Sequence, residues 1–294
     1  MQNNLEVQQS KNIRRTWTLI AFVCVLIIGL GWLLAQKTGN PNMITYFGIG
    51  AIVLNLISFW FSDKIALSMN GAKEASLADF SKLHEIVSRV AQKTGLPKPR
   101  VYVIQDNAPN AFATGRNKEH AAIACTTGIL ALLSDDELEG VLCHEFAHIQ
   151  NRDILINTIV VVLVGLLSII AQMFMFSGQT RDRDNNSGLL VMLGFLFAFL
   201  SPIIGQLIQL AISRKREFLA DATGALTHGH PEHLARALEK ISGSAQPMVH
   251  ANTATAHMFI SNPFGNVGAL FATHPPVKER VQALLGRETN DGFR

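Results

Sequence analysis

Charge is scarce in this 294-residue chain: Asp, Glu, Lys and Arg make up 16% of it, and the formal net charge is only +3. With 25 Lys and Arg against 22 Asp and Glu, and no long block of like charge, it has no phosphate-binding face, so no nucleic-acid partner is expected. Cysteine is scarce too. Cys24, Cys125 and Cys143 are odd in number and form no CxxC pair, which argues against a disulfide scaffold and for a reducing compartment. Internal repeats and low-complexity tracts are missing as well. What the chain has instead is apolar side chains, 48% of the total. A mean hydropathy of +0.24 is too high for an ordinary soluble or disordered chain.

The apolar residues gather in four uncharged stretches. Thr16 to Gln36 and Met43 to Phe61 form a first pair, joined by a short link carrying Lys37, Gly39 and Pro41. Ile154 to Phe176 and Leu189 to Ile212 form a second, joined by the polar turn Ser177 to Gly188. Each is long enough to cross a bilayer as a helix. Pro202 should kink the fourth, and its Gln206 and Gln209 form a polar stripe suited to a protein neighbour. The first stretch exceeds a usual signal-peptide core and a second follows at once, so it reads as an anchor. Lys11, Arg14, Arg15, Lys64, Lys73, Arg152, Arg214, Lys215 and Arg216 flank the spans on one side, against Lys37, Arg181 and Arg183 on the other. The positive-inside rule then makes this a multi-pass plasma (inner) membrane protein with both termini and the long segments in the cytoplasm. Five segments result: a tail (1–15), a transmembrane hairpin (16–61), a first catalytic part (62–153), a second hairpin (154–212) and a second catalytic part (213–294).

Leu77, Phe80, Leu83, Val87 and Val90 recur at helical spacing up to Gly95 and Pro97. Arg100 to Gln105 alternates like a strand, and His120 to Cys125 is a second short strand. Ser134-Asp-Asp-Glu137 is a capping box opening a helix expected to run through His148 to the membrane. The second half reads as helices, with Pro231 near one start and Pro275-Pro276 ahead of the last. The fold class expected is mainly α with a small β-sheet: four transmembrane helices in two hairpins plus a split, zincin-like catalytic domain.

That capped helix carries His144-Glu-Phe-Ala-His148, the HExxH pattern. Histidines four apart share one helix face, so both imidazoles can reach a single zinc ion, with Glu145 beside them to take a proton. A catalytic zinc needs a third protein ligand. Glu217, in Arg216-Glu-Phe-Leu-Ala-Asp221, is the candidate, and Asp221 one turn later can accept a hydrogen bond from the far nitrogen of a ligand histidine. Taken alone, the two acids read rather as an ordinary surface pair. Their position favours the metal: His148 and Glu217 each lie about 8 to 9 Å from the apolar layer at about 1.5 Å per residue, on the same side after an even number of crossings.

In this order the motifs resemble those of the HtpX-type membrane zinc peptidases, relatives of the CAAX prenyl protease group. The resemblance covers nearly the whole chain: a hairpin of spans, Asn110-Ala-Phe-Ala-Thr-Gly115, the HExxH helix, two more spans, Glu217 to Asp221, and Thr273-His-Pro-Pro276 followed by Arg280. It implies one zinc ion per chain on His144, His148 and Glu217, Glu145 as catalytic base and Asp221 holding a ligand histidine. It also lifts two motifs that read otherwise as a turn and a loop residue. Asn110, Ala111, Phe112 and Ala113 become an edge strand that pairs with extended substrate, and His274 becomes an oxyanion donor. Arg280 is left as a structural ion-pair partner.

The function expected is therefore a zinc endopeptidase acting on membrane-protein or unfolded polypeptide substrates at the cytoplasmic face; the resemblance adds membrane protein quality control under stress. Acids ahead of the motif and Asn151, Arg152 and Asp153 after it oppose an intramembrane site. A prenyl-protein protease of CAAX type stays open, as does a non-enzymatic scaffold with a structural zinc. Cys143 points about 100° around the helix from His144 and reads as a packed side chain. Interrupted by Gly229 and Pro231, His228, His230 and His233 are a weak second cluster. His250 to Gly265 is a candidate cover for the cleft.

Overall fold

In this computed structural model, residues 2–160, 194, 214–244, 246–249, 251–252, 254–265 and 274–286 are described. Helices α1 (Gln2–Thr38) and α2 (Asn42–Met69) form the first hairpin, turning at Gly39 and Pro41. The polar tail ahead of the first apolar stretch is thus continuous with α1. Among the described residues one helix, Gln9–Gly29, is long and apolar enough to cross a membrane, and the bent pair Asn42–Ile57 and Phe59–Met69 makes a second if counted as one span. Most of the second predicted hairpin lies outside the described residues, but its first turns dock on the first pair: Leu155 and Ile159 cluster with Ile27 and Ala51.

After the hairpin come β1 (Lys73–Glu74), α3 (Ser81–Thr94), β2 (Arg100–Ile104), β3 (Ala111–Gly115), β4 (Ala121–Thr126), α4 (Thr127–Leu132) and α5 (Asp135–Gln150). The apolar stripe of α3 is Leu83, Ile86, Val87, Val90 and Ala91, and the helix ends on Gly95 in the left-handed region. Leu77 is not part of it; it lies in the turn ahead, 67% exposed. The four strands form a mixed sheet in the order β1-β2-β4-β3, with β2 and β4 parallel and the other pairs antiparallel. The Asn110 to Gly115 motif therefore supplies an edge strand.

Alternation sorts each strand onto two cores. Val101, Val103, Ala111, Ala113, Ile123 and Cys125 face a cluster with α3, α5 and α7 (Pro231–Gly243). Ile104, Phe112, Ala122 and Ala124 face the end of α2 and the loop carrying Met258 and Phe259. Helix α5 is the central element, buried from Glu137 through Ala147. Its capping box forms as expected: Ser134 Oγ accepts from Glu137 N, and Glu137 accepts from Ser134 N. The charged Glu137 and Glu139 tolerate this because Lys240 (2.7 Å) and Lys93 (2.6 Å) reach them.

The helix does not run on into the membrane. It stops at Gln150, Arg152 turns through the left-handed region (φ 58°), and helix resumes at Asp153.

Helix α6 (Arg214–His228) packs along α5, and α8 (Val277–Leu284) closes the second half. The α5–α6 contact depends on Gly224, where a Cβ would lie 2.8 Å from His144 N and 3.0 Å from its Cα. Backbone cannot yield as a side-chain tip can. Gly224→Ala should cost about 1–3 kcal/mol of stability and spread the two helices, lowering both the melting temperature and the zinc retained after gel filtration. An unchanged melting curve with full metal content would show the contact to be slack.

Candidate metal centre

The face of α5 presents His144 and His148, their rings edge to face with centroids 4.7 Å apart. Glu217 approaches from α6, its two oxygens 3.8 Å from His144 Nε2 and 3.7 Å from His148 Nε2. These three residues form the group of possible metal ligands found among the described residues, all ligand atoms lying within 4.8 Å of one another.

Both far ring nitrogens are held by carboxylates. Asp221 Oδ1 is 2.9 Å from His144 Nδ1, and Asp153 Oδ2 is 3.0 Å from His148 Nδ1. A proton on each Nδ1 leaves each Nε2 with a lone pair, and the two Nε2 atoms face one another at 3.2 Å. A contact that close between two ring nitrogens needs a proton shared between them or a metal cation in its place. The carboxylates are anchored in turn: Arg280 makes a two-point contact with Asp221 (2.8 and 2.6 Å), and Asp153 takes Asn12 Nδ2 (2.7 Å) and Arg216 Nη1 (3.4 Å).

Charge bookkeeping gives the same answer. Asp153, Glu145, Glu217 and Asp221 are buried carboxylates, and Arg216 and Arg280 are buried guanidiniums in contact with them. With all four carboxyls ionised the shortfall is two positive charges, which a single divalent cation meets; with Glu145 protonated it is one. The imbalance is visible in the proton affinities. Burial opposes a charge on His148, yet the charges of Glu217 and Asp153 outweigh it and lift its pKa to about 9. On His144 burial wins, holding its pKa at about 4 despite Asp221. Glu145 is pushed up to about 8, chiefly by burial, with Glu217 adding to the rise; the Ala113 N–H donates to its carboxylate and works against it. Glu217 lies well below the usual carboxylate range: burial opposes this, and His274 leads the groups that outweigh it. The donor set, two imidazoles and one carboxylate, suits zinc.

The family model for peptidase family M48 matches residues 77–288. The chain belongs to peptidase family M48. Members are zinc metallopeptidases, so this M48 chain is a metalloprotease acting on polypeptides, and the His-His-Glu group is one that could hold a metal ion. It is 44% identical over 285 residues to the Protease HtpX homolog of Caldanaerobacter subterraneus subsp. tengcongensis, covering 94% of this chain and 95% of the relative. It is 45% identical over 278 residues to that of Pyrococcus furiosus, covering 92% and 94%. The crystal structure of S. mikatae Ste24p shares its fold, with a TM-score of 0.51 at 20% identity, over 94% of this chain and 66% of that one.

The structure also places the other predicted residues. His274 Nε2 lies 3.1 Å from Glu217 Oε2, so this histidine belongs to the centre. Of the β3 motif, Ala113 touches the site through its main chain, whereas Phe112 is fully buried on the opposite face against Phe259. Asn110 is bound to the loop 254–265: its Nδ2 donates to Ser261 O (2.9 Å) and its Oδ1 accepts from Ser261 N (3.1 Å). Cys143 is a buried thiol, pushed up to about 12 chiefly by burial. The rings of His228, His230 and His233 gather within 6.0 Å, but they are not among the converging ligand groups.

Asp153, Arg216 and Asn12 escaped the sequence reading. The signal available for Asp153 was a carboxylate directly ahead of an apolar run, which no charge cap of a span requires. Asp153→Asn should free the His148 ring and leave Arg216 without its anion, weakening zinc binding about 10- to 100-fold. Competition titration against a chelator measures this, and parental affinity would remove Asp153 from the site.

Proposed function

We propose that His144, His148 and Glu217 hold one zinc ion per chain, and that Glu145 moves the protons of peptide hydrolysis. The observation that carries this reading is the convergence of two imidazole lone pairs and one carboxylate beside a buried second carboxylate of raised proton affinity. When bound, the ion supplies Lewis acidity toward water and toward the scissile carbonyl. Glu145 takes the proton of the attacking water and passes it to the leaving amine. Burial raises the proton affinity of this carboxyl above the ordinary range, which suits it to both transfers. Asp221 and Asp153 fix the imidazole tautomers, and Asp221 is held by Arg280. His274 is assigned the donor that meets the oxyanion, for which its place beside Glu217 is suited. The main chain of Asn110 to Ala113 is assigned to substrate: as an edge, β3 can accept an extended peptide, and Ala113 lies against the proposed base.

We further assign the chain to the plasma (inner) membrane as a multi-pass protein, with two hairpins (16–61 and 154–212) dividing a cytoplasmic catalytic domain into 62–153 and 213–294. The lysine and arginine distribution supports this orientation, and the docking of Leu155 and Ile159 on α1 and α2 supports a continuous helical bundle. A site close to the bilayer favours the loops and tails of membrane proteins, and unfolded chains, as substrates. Removal of damaged membrane proteins under stress is the role in keeping with that location.

Glu145→Gln should keep the zinc and lower cleavage of a membrane-tethered substrate by about 10²- to 10⁴-fold, whereas His148→Ala should lose the ion as well. Zinc content and cleavage rate of full-length protein distinguish the two. Undiminished cleavage by Glu145→Gln would reject it as the base.

A further inference from the structure

A second site lies at the bend of α2, where the limbs Asn42–Ile57 and Phe59–Met69 meet at 65°. A cavity of about 620 Å³ opens there, lined by the apolar wall residues Leu56, Ile57 and Trp60 together with the cations Lys64, Lys98 and Arg116. Among the described residues none of these three cations has a carboxylate at ion-pair distance. Lys64 lies 5.6 Å from the Phe61 ring centre; Arg116 stacks 4.7 Å over Trp60 and donates to its carbonyl at 3.2 Å. Of the acids in the lining, Asp63 is paired with Arg100, and the exposed Glu119 lies 3.9 Å from Lys118. Leu56 and Trp60 are 55% and 54% exposed, so the apolar wall is open as well.

A soluble anion has no use for that wall, and a purely apolar ligand has none for three unneutralised cations. An amphiphile with an anionic head uses both. Tryptophan and lysine at a helix end also mark the boundary where headgroups meet acyl chains. We propose that this recess binds an anionic phospholipid, its phosphate among Lys64, Lys98 and Arg116 and an acyl chain along Leu56, Ile57 and Trp60. The proposal rests on α2 lying in the membrane and is independent of the metal centre.

The test uses full-length protein in phosphatidylcholine vesicles, with Trp17→Phe and Trp32→Phe leaving Trp60 as the reporter. Brominated phosphatidylglycerol should quench Trp60 at several-fold lower mole fraction than brominated phosphatidylcholine. Lys64→Gln and Lys98→Gln should each reduce that preference about fivefold or abolish it, while Lys278→Gln, outside the recess, should leave it intact. Should the tryptophan background misfold, the ratio of anionic to zwitterionic phospholipid retained by the otherwise parental chain through detergent purification gives the same comparison. Equal quenching by both lipids, or a preference untouched by both recess variants, would overturn the proposal. So would loss of the preference on adding millimolar inorganic phosphate, which would mark a site for free phosphate.

Discussion

The structure is organised around a charge deficit at the centre of α5. Four buried carboxyls meet two buried guanidiniums, and the surplus of negative charge raises the proton affinity of His148 and Glu145. Burying an unbalanced charge is expensive, so the fold must supply partners from many places. They come from all over the chain: Asn12 from α1, Asp153 from the turn after α5, Arg216, Glu217 and Asp221 from α6, and Arg280 from α8. The centre is therefore as much a fastening as a place for chemistry. It ties α1, α6 and α8 to one helix.

That dependence explains why α5 is buried nearly all round and why its contact with α6 is so close. A helix presenting metal ligands on one face and apolar residues on the others needs a neighbour on every side. Gly224 lets α6 approach until Glu217 reaches the Nε2 atoms of both imidazoles and Asp221 reaches His144 Nδ1. The capping box at Ser134 fixes the register of the same helix from its other end.

Sequence alone carried the parts of this arrangement that repeat within one helix. HExxH and Glu217 to Asp221 are legible because one turn separates the paired residues, and the capping box because its chemistry is local. Both long strand candidates were legible from alternation. Asp153 and Arg216 were not, since the left-handed turn at Arg152 carries the chain off α5 and breaks any helical spacing from His148. The same turn ended the helix that periodicity carried toward the membrane. Leu77 was misassigned to α3 because an apolar residue at matching spacing says nothing about where a helix starts; Phe80 and Ser81 set the boundary instead. The position of β3 at the sheet edge depends on strand order, which is a tertiary property.

The candidate cover, whose residues 254–265 are described, now has a physical place. Ile260 N donates to Ala111 O at 3.0 Å, Ser261 brackets the Asn110 amide, and Phe259 stacks edge to face on Phe112. The loop is thus an added partner on the first residues of β3, the same main-chain edge through which an extended substrate would pair. Its hold is strongest at Asn110 to Phe112 and ends before Ala113, whose N–H is turned to Glu145. A peptide pairing along the whole of β3 must displace Ile260 from Ala111; one engaging the strand from Ala113 onward need not. Gly115 ends that strand and Arg116 of the α2 recess follows it directly, so the edge at Glu145 and the recess are joined by a single short stretch of main chain.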